Sequence, residues 1–409
     1  MIFGTVYDNV WLSGGARTGF ADYGGALAQI SPTDLGIVAA KAALEKTGTE
    51  PEAIDTVIGS NVAQSSYDAY YFPRHIGLYS GVPINRPALL VQRLCTSGFE
   101  AILQAADAIK LGKARTALCV GAESMSRNPV AAYTLRGGFR MGQAEFKDFL
   151  WESSLDTAAM KRMGDTAEAL AQRYQISREA VDDFAAESFA RGIAARERGY
   201  FEGEIVPVEP RRFAREGYAP RDLALPRGVK SYAEDNHLRP TSRELLRGLK
   251  PAFGGVQTGG NSSAIVDGAA AAVVGGKTAG KNCGAPLARI VAGAAAGVPP
   301  EIMGIGPVPA IRHALELAGL KLDAIDRFEI NEAFGAQYLA VERELGLDRA
   351  KVNVNGGAIA IGHPLGATGV RCTLTLAREL RAGKLRYGVA SACAGGGQGV
   401  AIVLENTAA

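Results

Sequence analysis

The pattern of apolar and polar positions changes period several times within the first 125 residues. Short apolar runs of strand length alternate with longer segments in which apolar residues recur every three or four positions. We predict a strand with a Gly-rich turn over 2–18, a helix over 32–48, a strand over 54–58, a polar loop over 61–73, a helix over 99–111 and a strand over 117–120. Strands that alternate with helices are typical of an α/β fold.

The same order of elements returns near the C-terminus. The Ala-Ile-Asp sequence that begins at residue 53 recurs at residue 324, and the Gly-Lys pair at residue 112 recurs at residue 383. Both repeats lie 271 positions apart, so we infer an internal duplication of one domain. At this offset the equivalent pairs are Cys95 with Gly366, Ser60 with Asn331, and Ala122 with Cys393. We therefore expect the turns of the two halves to face each other across a pseudo-twofold axis.

A segment of about 126–264 lies between the two halves. Strong helical periodicity covers 166–198, with Ser177 as a predicted N-cap. Ten Lys or Arg and five acidic residues lie within 211–250, a run typical of a solvated surface or of a site for a phosphorylated ligand. The predicted organisation is an N-terminal half over 1–125, completed by about 265–285, an inserted segment over 126–264, and a C-terminal half over 286–409.

Composition narrows the class of protein. A chain of 409 residues with 47% hydrophobic and 21% charged residues can build a large core over two or three domains. The formal net charge of +2 argues against nucleic acid as the main partner, and no apolar run is long enough to cross a bilayer. Five scattered cysteines without a CxxC pair indicate a reducing compartment. Because the first residues lack a signal-peptide pattern, we expect a cytoplasmic protein.

Residues 353–369, with the sequence NVNGGAIAIGHPLGATG, form the most informative stretch of the chain. We predict that a strand containing Val352 and Val354 ends here and that a helix follows the histidine. Glycines on both sides let the backbone approach a ligand closely, and Pro364 makes the turn around His363 rigid. A single histidine is usually structural, but one held between glycine and proline at the mouth of a helix indicates a functional residue.

Two of the five cysteines lie on turns that can carry chemistry. Cys95 lies where a strand passes into a helix, so we expect the helix dipole to stabilise its thiolate. Cys393 precedes the run AGGGQG, whose exposed backbone N–H groups suit an oxyanion or a phosphate. The other three, Cys119, Cys283 and Cys372, fit a buried apolar role.

Together with a fourth turn at Asn331, these turns resemble the four signatures of the thiolase family. The motifs are Cys95-Thr-Ser-Gly, Asn331-Glu-Ala-Phe, the glycine-rich stretch around His363, and Cys393-Ala-Gly-Gly-Gly-Gln-Gly. The similarity extends over essentially the whole chain. It implies a duplicated thiolase fold, in which two βαβαβαββ halves form a five-layer α-β-α-β-α core and an inserted loop domain serves CoA binding and oligomer contacts.

For function, the resemblance implies an acyltransferase of fatty acid metabolism. The family interconverts a 3-oxoacyl-CoA plus CoA with acetyl-CoA plus a shortened acyl-CoA. By resemblance, Cys95 is the nucleophile that carries the acyl group, His363 activates it, and Asn331 holds a water beside His363. Cys393 would be the second acid/base, and the backbone N–H groups of Cys95 and Gly395 would form an oxyanion hole. Cleaving a carbon–carbon bond next to a carbonyl leaves an enolate, which needs such donors and a proton source.

The resemblance also implies contacts with CoA. Arg239 would bind the nucleotide end, Ser263 and Met163 would line the pantetheine channel, and Phe334 would contact CoA as well. Arg162 stands where biosynthetic members often have a histidine, so we expect its contact with pantetheine to differ. CoA supplies the thiol, so no metal and no redox cofactor is expected. The implied partners are CoA and acyl-CoA, and we expect a homodimer or homotetramer.

Three other functions compete with the one that this resemblance implies. A 3-oxoacyl synthase-like condensing enzyme pairs its cysteine with two histidines, or with histidine and asparagine, and has no counterpart of Cys393. An inactive thiolase-like subunit of a complex would not need four intact signatures. A nucleotide-binding oxidoreductase is disfavoured because no GxGxxG motif follows the first strand. The sequence leaves the acyl-chain length, its branching and the direction of the reaction open.

Overall fold

The computed structural model describes residues 3–133, 135–139, 141–276 and 286–409. The described helices are α1 (Pro32–Thr47), α2 (Phe72–Tyr79), α3 (Ser97–Lys110), α4 (Phe149–Ser153), α5 (Met163–Arg173), α6 (Arg178–Glu197), α7 (Arg243–Arg247), α8 (Pro307–Ala318), α9 (Gly335–Leu345), α10 (Ala358–Ile361) and α11 (Leu365–Ala382). The described strands are β1 (Phe3–Val6), β2 (Trp11–Thr18), β3 (Ala21–Asp22), β4 (Thr56–Ser60), β5 (Ala88–Val91), β6 (Thr116–Ser124), β7 (Val130–Ala131), β8 (Lys147–Asp148), β9 (Leu155–Asp156), β10 (Lys161–Arg162), β11 (Ile205–Val206), β12 (Arg211–Phe213), β13 (Arg221–Leu223), β14 (Val266–Gly275), β15 (Ala288–Gly297), β16 (Arg327–Ile330), β17 (Tyr387–Ala394) and β18 (Gln398–Glu405).

The long strands follow one hydrogen-bonded path, in the order β16-β17-β18-β15-β2-β14-β6-β4-β5. Strands β15 and β2 share only a short antiparallel ladder at Ala288 and Arg289, so the path divides into two layers. The N-terminal layer is β5-β4-β6-β14-β2, and the C-terminal layer is β16-β17-β18-β15 with β1 along β15. In each layer a parallel pair leads into an antiparallel strand, β4 and β6 into β14, and β16 and β17 into β18.

The offset of 271 residues relates the elements of the two layers. Strand β4 begins at Thr56 and β16 at Arg327, while β6 begins at Thr116 and β17 at Tyr387. Helices α3 and α11 lie between the layers, and α11 contacts β6 and β14 as well as β16 and β17. Helix α1 covers the N-terminal layer from outside, and α8 covers the C-terminal layer. This is the duplicated five-layer α-β-α-β-α fold that the resemblance implied.

Helix α1 shows how local sequence sets these elements. The Ser31 hydroxyl accepts the N–H of Asp34, and Pro32 occupies the first turn, where its missing N–H costs nothing. Gly48 ends the helix at φ 60, a conformation that glycine adopts without strain. The predicted helix over 32–48 is therefore confirmed, and its boundaries follow from capping chemistry.

The two central helices cross at glycine. Gly98 in α3 and Gly369 in α11 are equivalent at the 271-residue offset. A β-carbon added to Gly98 would lie 2.8 Å from the backbone nitrogen of Gly369, and one added to Gly369 would overlap the backbone nitrogen of Phe99. The pseudo-twofold axis passes through this crossing. Because both glycines lie near the start of their helices, the crossing brings the two helix N-termini together.

We expect Gly369→Ala to lower the free energy of unfolding by about 2–3 kcal/mol, because the new methyl group meets rigid backbone. Gly36→Ala in α1 is the matched control, since its methyl group would meet the side chains of Ile76 and Val120 rather than backbone. Chemical denaturation of both variants measures the difference. Equal stability of the two variants would contradict the close helix crossing.

The prediction of a Gly-rich turn after the first strand is wrong. Gly14 and Gly15 lie inside β2. The neighbouring strand β14 comes so close that a β-carbon on Gly15 would overlap the carbonyl oxygen of Ala271. The glycines therefore permit close strand packing rather than a change of direction.

The strand predicted at Val352 and Val354 is reduced to a single bridge between Val352 and Phe328. Asn353 adopts φ 46, and its side chain bonds both backbone groups of Ile330 at 2.8 Å. A side chain thus supplies the hydrogen bonds that a further ladder would have made, which is a local alternative that asparagine favours.

The inserted segment contains α4 to α7 and several short strands. The helical stretch predicted over 166–198 divides into α5 and α6, with Gln175 at φ 50 between them. Ser177 caps α6 as predicted, because its hydroxyl accepts the N–H of Ala180. Within the described residues, no helix combines the length and apolar character needed to span a membrane.

A buried ionic network fixes the inserted segment to the N-terminal layer. The guanidinium of Arg17 in β2 donates to both carboxylate oxygens of Asp235, at 2.7 and 2.8 Å, and to Glu204 at 3.0 Å. All three side chains are buried. A buried arginine is costly unless acids satisfy it, so loss of either partner would strongly destabilise this contact.

Candidate active site

Cys95 lies on a tight turn between β5 and α3. Leu94 adopts φ 47, a left-handed conformation that a leucine holds only where its surroundings impose it. The N–H of Thr96 donates to the carbonyl of Arg93, and the hydroxyl of Ser97 donates to the carbonyl of Leu94. These bonds hold the turn, and the half-buried side chain of Cys95 lines a cavity.

The electrostatics of Cys95 differ from the predicted stabilised thiolate. Burial raises the pKa of the Cys95 thiol to about 11, and the hydrogen bond from the backbone N–H of Gly395 lowers it only in part. Desolvation therefore outweighs the favourable effect expected from the start of α3. At neutral pH the site holds a neutral thiol, which needs a base in order to react.

His363, from the C-terminal half, lines the same cavity as Cys95. The Thr368 hydroxyl donates to the carbonyl of Pro364, so it accepts the N–H at Nδ1 of His363 over 2.6 Å. This assigns an unprotonated Nε2, which lies 3.4 Å from Nδ2 of Asn331. Burial, with a smaller effect from the charge of Arg371, lowers the pKa of His363 to about 3. The imidazole is thus neutral at physiological pH and able to accept a proton.

Cys393 lies behind the cavity, fully buried with Met303 and Ala333. Burial, and then the neighbouring Cys95, raise the pKa of the Cys393 thiol well above its ordinary value. Gly395 follows two residues later and lines the cavity beside Cys95. The two cysteines therefore approach one site from the two halves of the chain, as the duplication predicted.

One cavity of about 1050 Å³ connects these turns to the surface. Cys95, His363 and Gly395 line it, while Asn331 and Cys393 lie just behind its lining. Much of its wall comes from the inserted segment and is apolar, including Leu150, Trp151, Leu155, Met163 and Phe253. Such a cavity suits a long ligand that is partly apolar.

All five residues predicted to contact CoA line this cavity: Arg162, Met163, Arg239, Ser263 and Phe334. Met163 lies deep, because its sulfur is 3.2 Å from the point that a β-carbon on Gly395 would occupy. Arg239 is exposed, and its guanidinium donates to the carbonyl of His237 at 3.3 Å. The predicted contacts thus extend from the buried cysteines to the solvent.

Arg162 supports the cavity wall. Its guanidinium lies 4.0 Å from the ring centroid of Trp151 and donates to the Trp151 carbonyl at 2.9 Å. It also donates to the hydroxyl of Ser154 at 3.2 Å. Its guanidinium is therefore already engaged with protein, in line with the expectation that its contact with a ligand differs from that of a histidine.

Most of the basic run over 211–250 lies on the surface: eight of its ten Lys and Arg side chains are exposed, and Arg215 and Arg221 are half-buried. Arg221 pairs with Asp34 and Asp68 of the N-terminal half, and Arg243 pairs with Asp183 on α6. Of the ten basic residues in the run, all of which the structure describes, Arg239 alone lines the cavity. Most of the run therefore follows the solvated-surface interpretation, and a single arginine remains for a phosphorylated ligand.

Sequence reasoning missed two polar residues that support the site. Thr368 follows His363 by five residues and sets its tautomer, and a hydroxyl one turn into the helix was the available signal. Glu123 is buried at the end of β6 and accepts the N–H groups of Val62, Ala63 and Gly366. Burial raises the pKa of Glu123 to about 7. An acid that ends an apolar strand indicates such a structural role.

A histidine and two cysteines that converge on one cavity of a duplicated α/β fold define the class of this protein as an acyltransferase. Sequence profiles of the thiolase N-terminal domain and the thiolase C-terminal domain match residues 10–277 and 284–406. The chain belongs to the thiolase family.

Individual relatives match over nearly the whole chain. The chain is 45% identical over 404 residues to the mitochondrial 3-ketoacyl-CoA thiolase of Homo sapiens, covering 98% of each protein. It is 42% identical over 395 residues to the acetyl-CoA acetyltransferase of Cupriavidus necator, covering 95% of this chain and 97% of that protein. The fold matches the crystal structure of human mitochondrial 3-ketoacyl-CoA thiolase with a TM-score of 0.92 at 45% identity, covering 98% and 99% of the two chains. The structure of that enzyme in complex with CoA matches with a TM-score of 0.91 at 44% identity, covering 98% of each chain.

Proposed function

We propose that this protein cleaves a 3-oxoacyl-CoA with CoA, giving acetyl-CoA and a shortened acyl-CoA, and that it also runs the reverse condensation. One observation carries the proposal: Cys95, His363 and Gly395 line one cavity, with Cys393 directly behind it. Acyl transfer with carbon–carbon cleavage needs a nucleophile, a base, oxyanion donors and a second proton carrier within reach of one another. The CoA complex of the human relative supports CoA as the ligand.

In the first half-reaction, Nε2 of His363 takes the proton of the Cys95 thiol as its sulfur attacks the 3-oxo carbon. Both groups are neutral at rest, so the thiol gives its proton to His363 before or during the attack. The tetrahedral adduct collapses with cleavage of the bond between carbons 2 and 3, which leaves an acyl group on Cys95 and the enolate of acetyl-CoA. Cys393 gives its proton to carbon 2, and acetyl-CoA leaves.

In the second half-reaction, the thiolate of Cys393 takes the proton of an incoming CoA thiol. The CoA sulfur attacks the thioester carbonyl on Cys95, and the developing oxyanion accepts hydrogen bonds from the N–H groups of Cys95 and Gly395. The Cys95 sulfur leaves and takes back the proton held by His363. Both cysteines return to their thiol forms, and CoA supplies the only thiol consumed, so we propose that no metal or redox cofactor takes part.

A panel of 3-oxoacyl-CoA substrates of different length and branching, supplied with CoA, tests the proposal. The expected products are acetyl-CoA and an acyl-CoA shortened by one acetyl unit, both identified by mass spectrometry. CoA binding without cleavage of any substrate would favour an inactive thiolase-like subunit. Condensation restricted to carrier-protein thioesters would favour a 3-oxoacyl synthase.

We expect Thr368→Val to lower kcat for thiolysis by about 10- to 100-fold, because Nδ1 of His363 loses its acceptor and Nε2 is no longer held as the base. Thr373→Val is the matched control. Thr373 is equally buried on α11 and makes the same type of bond, to the carbonyl of Gly369, but it does not touch the histidine. Steady-state rates of the two variants decide, and equal losses would point to a general effect on α11.

We expect Arg239→Ala to raise KM for CoA by about 10- to 100-fold at low salt, since an arginine paired with a phosphate contributes about 1.5–3 kcal/mol. Turnover at saturation should stay close to wild type, because a remote contact binds ground and transition states alike. A pantetheine thioester without the nucleotide should be used equally by both proteins. Arg243→Ala, an exposed arginine off the cavity, is the control. Equal impairment of Arg239→Ala on both substrates would contradict the phosphate contact.

We also propose a homodimer or homotetramer. Strand β5 ends the N-terminal layer, and its Leu89 is 48% exposed on that edge. An exposed apolar edge strand is a site for pairing with another chain. The inserted segment adds the exposed aromatic residues Tyr133 and Phe146. Light scattering after gel filtration should give two or four times the chain mass of 42.7 kDa.

A cytoplasmic location stays a prediction, based on the scattered cysteines, and the human relative carries a mitochondrial name.

A further inference from the structure

Arg93 lies two residues before Cys95 and has no role in the chemistry described so far. Its backbone belongs to the cysteine turn, since its N–H donates to the hydroxyl of Ser97 at 2.8 Å and its carbonyl accepts the hydroxyl of Thr96 at 2.8 Å. The contacts of the Arg93 side chain therefore influence the position of the turn that carries Cys95.

The side chain of Arg93 leaves its own half of the molecule. One nitrogen, Nη1, donates to Oε1 of Gln398 at 3.0 Å, while Nε donates to Glu100 on α3 at 2.9 Å. Gln398 is the first residue of β18, and it pairs with Ala394, the last residue of β17. Between them lie the three glycines 395–397, of which 396 and 397 adopt φ 75 and 79.

This contact spans the two parts of one oxyanion hole. The proposed hole takes one N–H from Cys95 in the N-terminal half and one from Gly395 in the C-terminal half. The three glycines have no side chains to hold them, and the carbonyl of Gly397 accepts the N–H of Val298 at 2.7 Å. Contacts at the base of the hairpin therefore help to set the separation of the two donors. The Cys95 thiol accepts the N–H of Gly395 at the tip of the hairpin, and the bond from Arg93 to Gln398 joins the two side chains at its base.

We propose that Arg93 and Gln398 are positioning residues that set the distance between the two donors of the oxyanion hole. The inference rests on the proposed function. The substrate oxygen in the hole develops its negative charge only as the tetrahedral intermediate forms, so a change in the width of the hole acts on kcat rather than on ground-state binding. Displacements of about 1 Å in such donors cost on the order of 100-fold in rate.

Arg93→Met and Gln398→Met each remove this hydrogen bond while keeping an unbranched side chain. We expect either variant to lower kcat for thiolysis by about 10- to 100-fold with KM for CoA within about twofold of wild type. The double variant should be no slower than the slower single variant, since both substitutions delete one contact. Glu100→Gln is the matched control: it removes the charge of the other partner of Arg93 and leaves the bond to Gln398 in place, and its turnover should stay within about twofold of wild type.

Three outcomes would overturn the inference: unchanged kcat in both single variants, losses that multiply in the double variant, or a loss in Glu100→Gln as large as in Arg93→Met. If Arg93→Met does not fold, Gln398→Met tests the same bond with the pairing of Arg93 and Glu100 intact. Failure of the proposed function is distinguishable, because wild type itself would then cleave no 3-oxoacyl-CoA.

Discussion

Replacing Cys95 with serine is expected to lower kcat for thiolysis by about 10⁴-fold or more, because a hydroxyl is a far weaker nucleophile and a poorer leaving group than a thiol. The fold should tolerate the change, since the Cys95 side chain faces the cavity and not a packed core. Mass spectrometry should find an acyl adduct on wild-type Cys95 after incubation with acyl-CoA alone, and none on the variant. Cys119→Ala is the control, because that thiol is buried in β6 away from the cavity.

The same residue should be alkylated first by iodoacetamide, because the other described thiols, at Cys119, Cys372 and Cys393, are fully buried. Burial raises the pKa of Cys95 to about 11, so the thiolate fraction grows about tenfold per pH unit below that value. The labelling rate should therefore keep rising with pH from 7 to 10. Cys283 lies outside the described residues, and peptide mapping identifies the site. Labelling of Cys119 with Cys95 untouched would overturn the assignment.

Replacing Cys393 with alanine is expected to separate two activities. The variant should still accept an acetyl group on Cys95 from acetyl-CoA, because the attack uses Cys95 and His363 and CoA is a good enough leaving group to depart as a thiolate, without the proton that Cys393 would give it. It should exchange the α-protons of acetyl-CoA with deuterated solvent about 10³-fold more slowly, since a positioned acid/base contributes about 10²- to 10⁴-fold. Mass spectrometry of one sample gives both rates, because deuterium incorporation is measured on acetyl-CoA and acetylation on the protein.

Cys372→Ala is the matched control for this separation. Cys372 is as deeply buried as Cys393, but it lies on α11 away from the cavity lining. Its exchange and acetylation rates should equal those of wild type. Normal exchange in Cys393→Ala would contradict the role given to that thiol, and loss of acetylation as well would indicate that the substitution disturbs the whole site.

Much of the architecture could be predicted because it depends on local sequence signals, such as helix caps and repeated motifs. Helix α1 has a capping serine, a proline in its first turn and a terminal glycine, and the 271-residue offset needs only two matched landmarks. Gly15 was misassigned because its role depends on how close β14 comes, and Val352 because Asn353 replaces a ladder with its side chain. Both errors concern contacts between distant segments, which periodicity does not report.

Which residues come together at the cavity could be predicted from the sequence, and their charge states could not. The four turns identify the cysteines, the histidine and the asparagine, yet a helix N-terminus argued for a thiolate at Cys95, and burial in the folded chain reverses that preference. Two further features depend on the folded chain: the hydrogen bond from His363 to Thr368, which assigns the histidine tautomer, and the cavity wall around Trp151. Desolvation is a property of the whole structure and has no local signature.

The duplication has a consequence for the number of sites that one chain can carry. The pseudo-twofold axis generates two equivalent junctions, in each of which the end of a strand from one half meets the start of a helix from the other half. One junction pairs Ser60 with Gly366, and the other pairs Asn331 with Cys95. The junction at Ser60 is tightly packed. The Ser60 hydroxyl donates to the carbonyl of Gly366 at 2.7 Å, and a β-carbon on Gly366 would lie 2.6 Å from the Ser60 carbonyl oxygen. A reactive side chain has no room there, whereas the counterpart at Cys95 opens into the cavity. The two copies have therefore diverged: the junction at Ser60 and Gly366 became a packed structural contact, and the junction at Cys95 became part of the candidate active site.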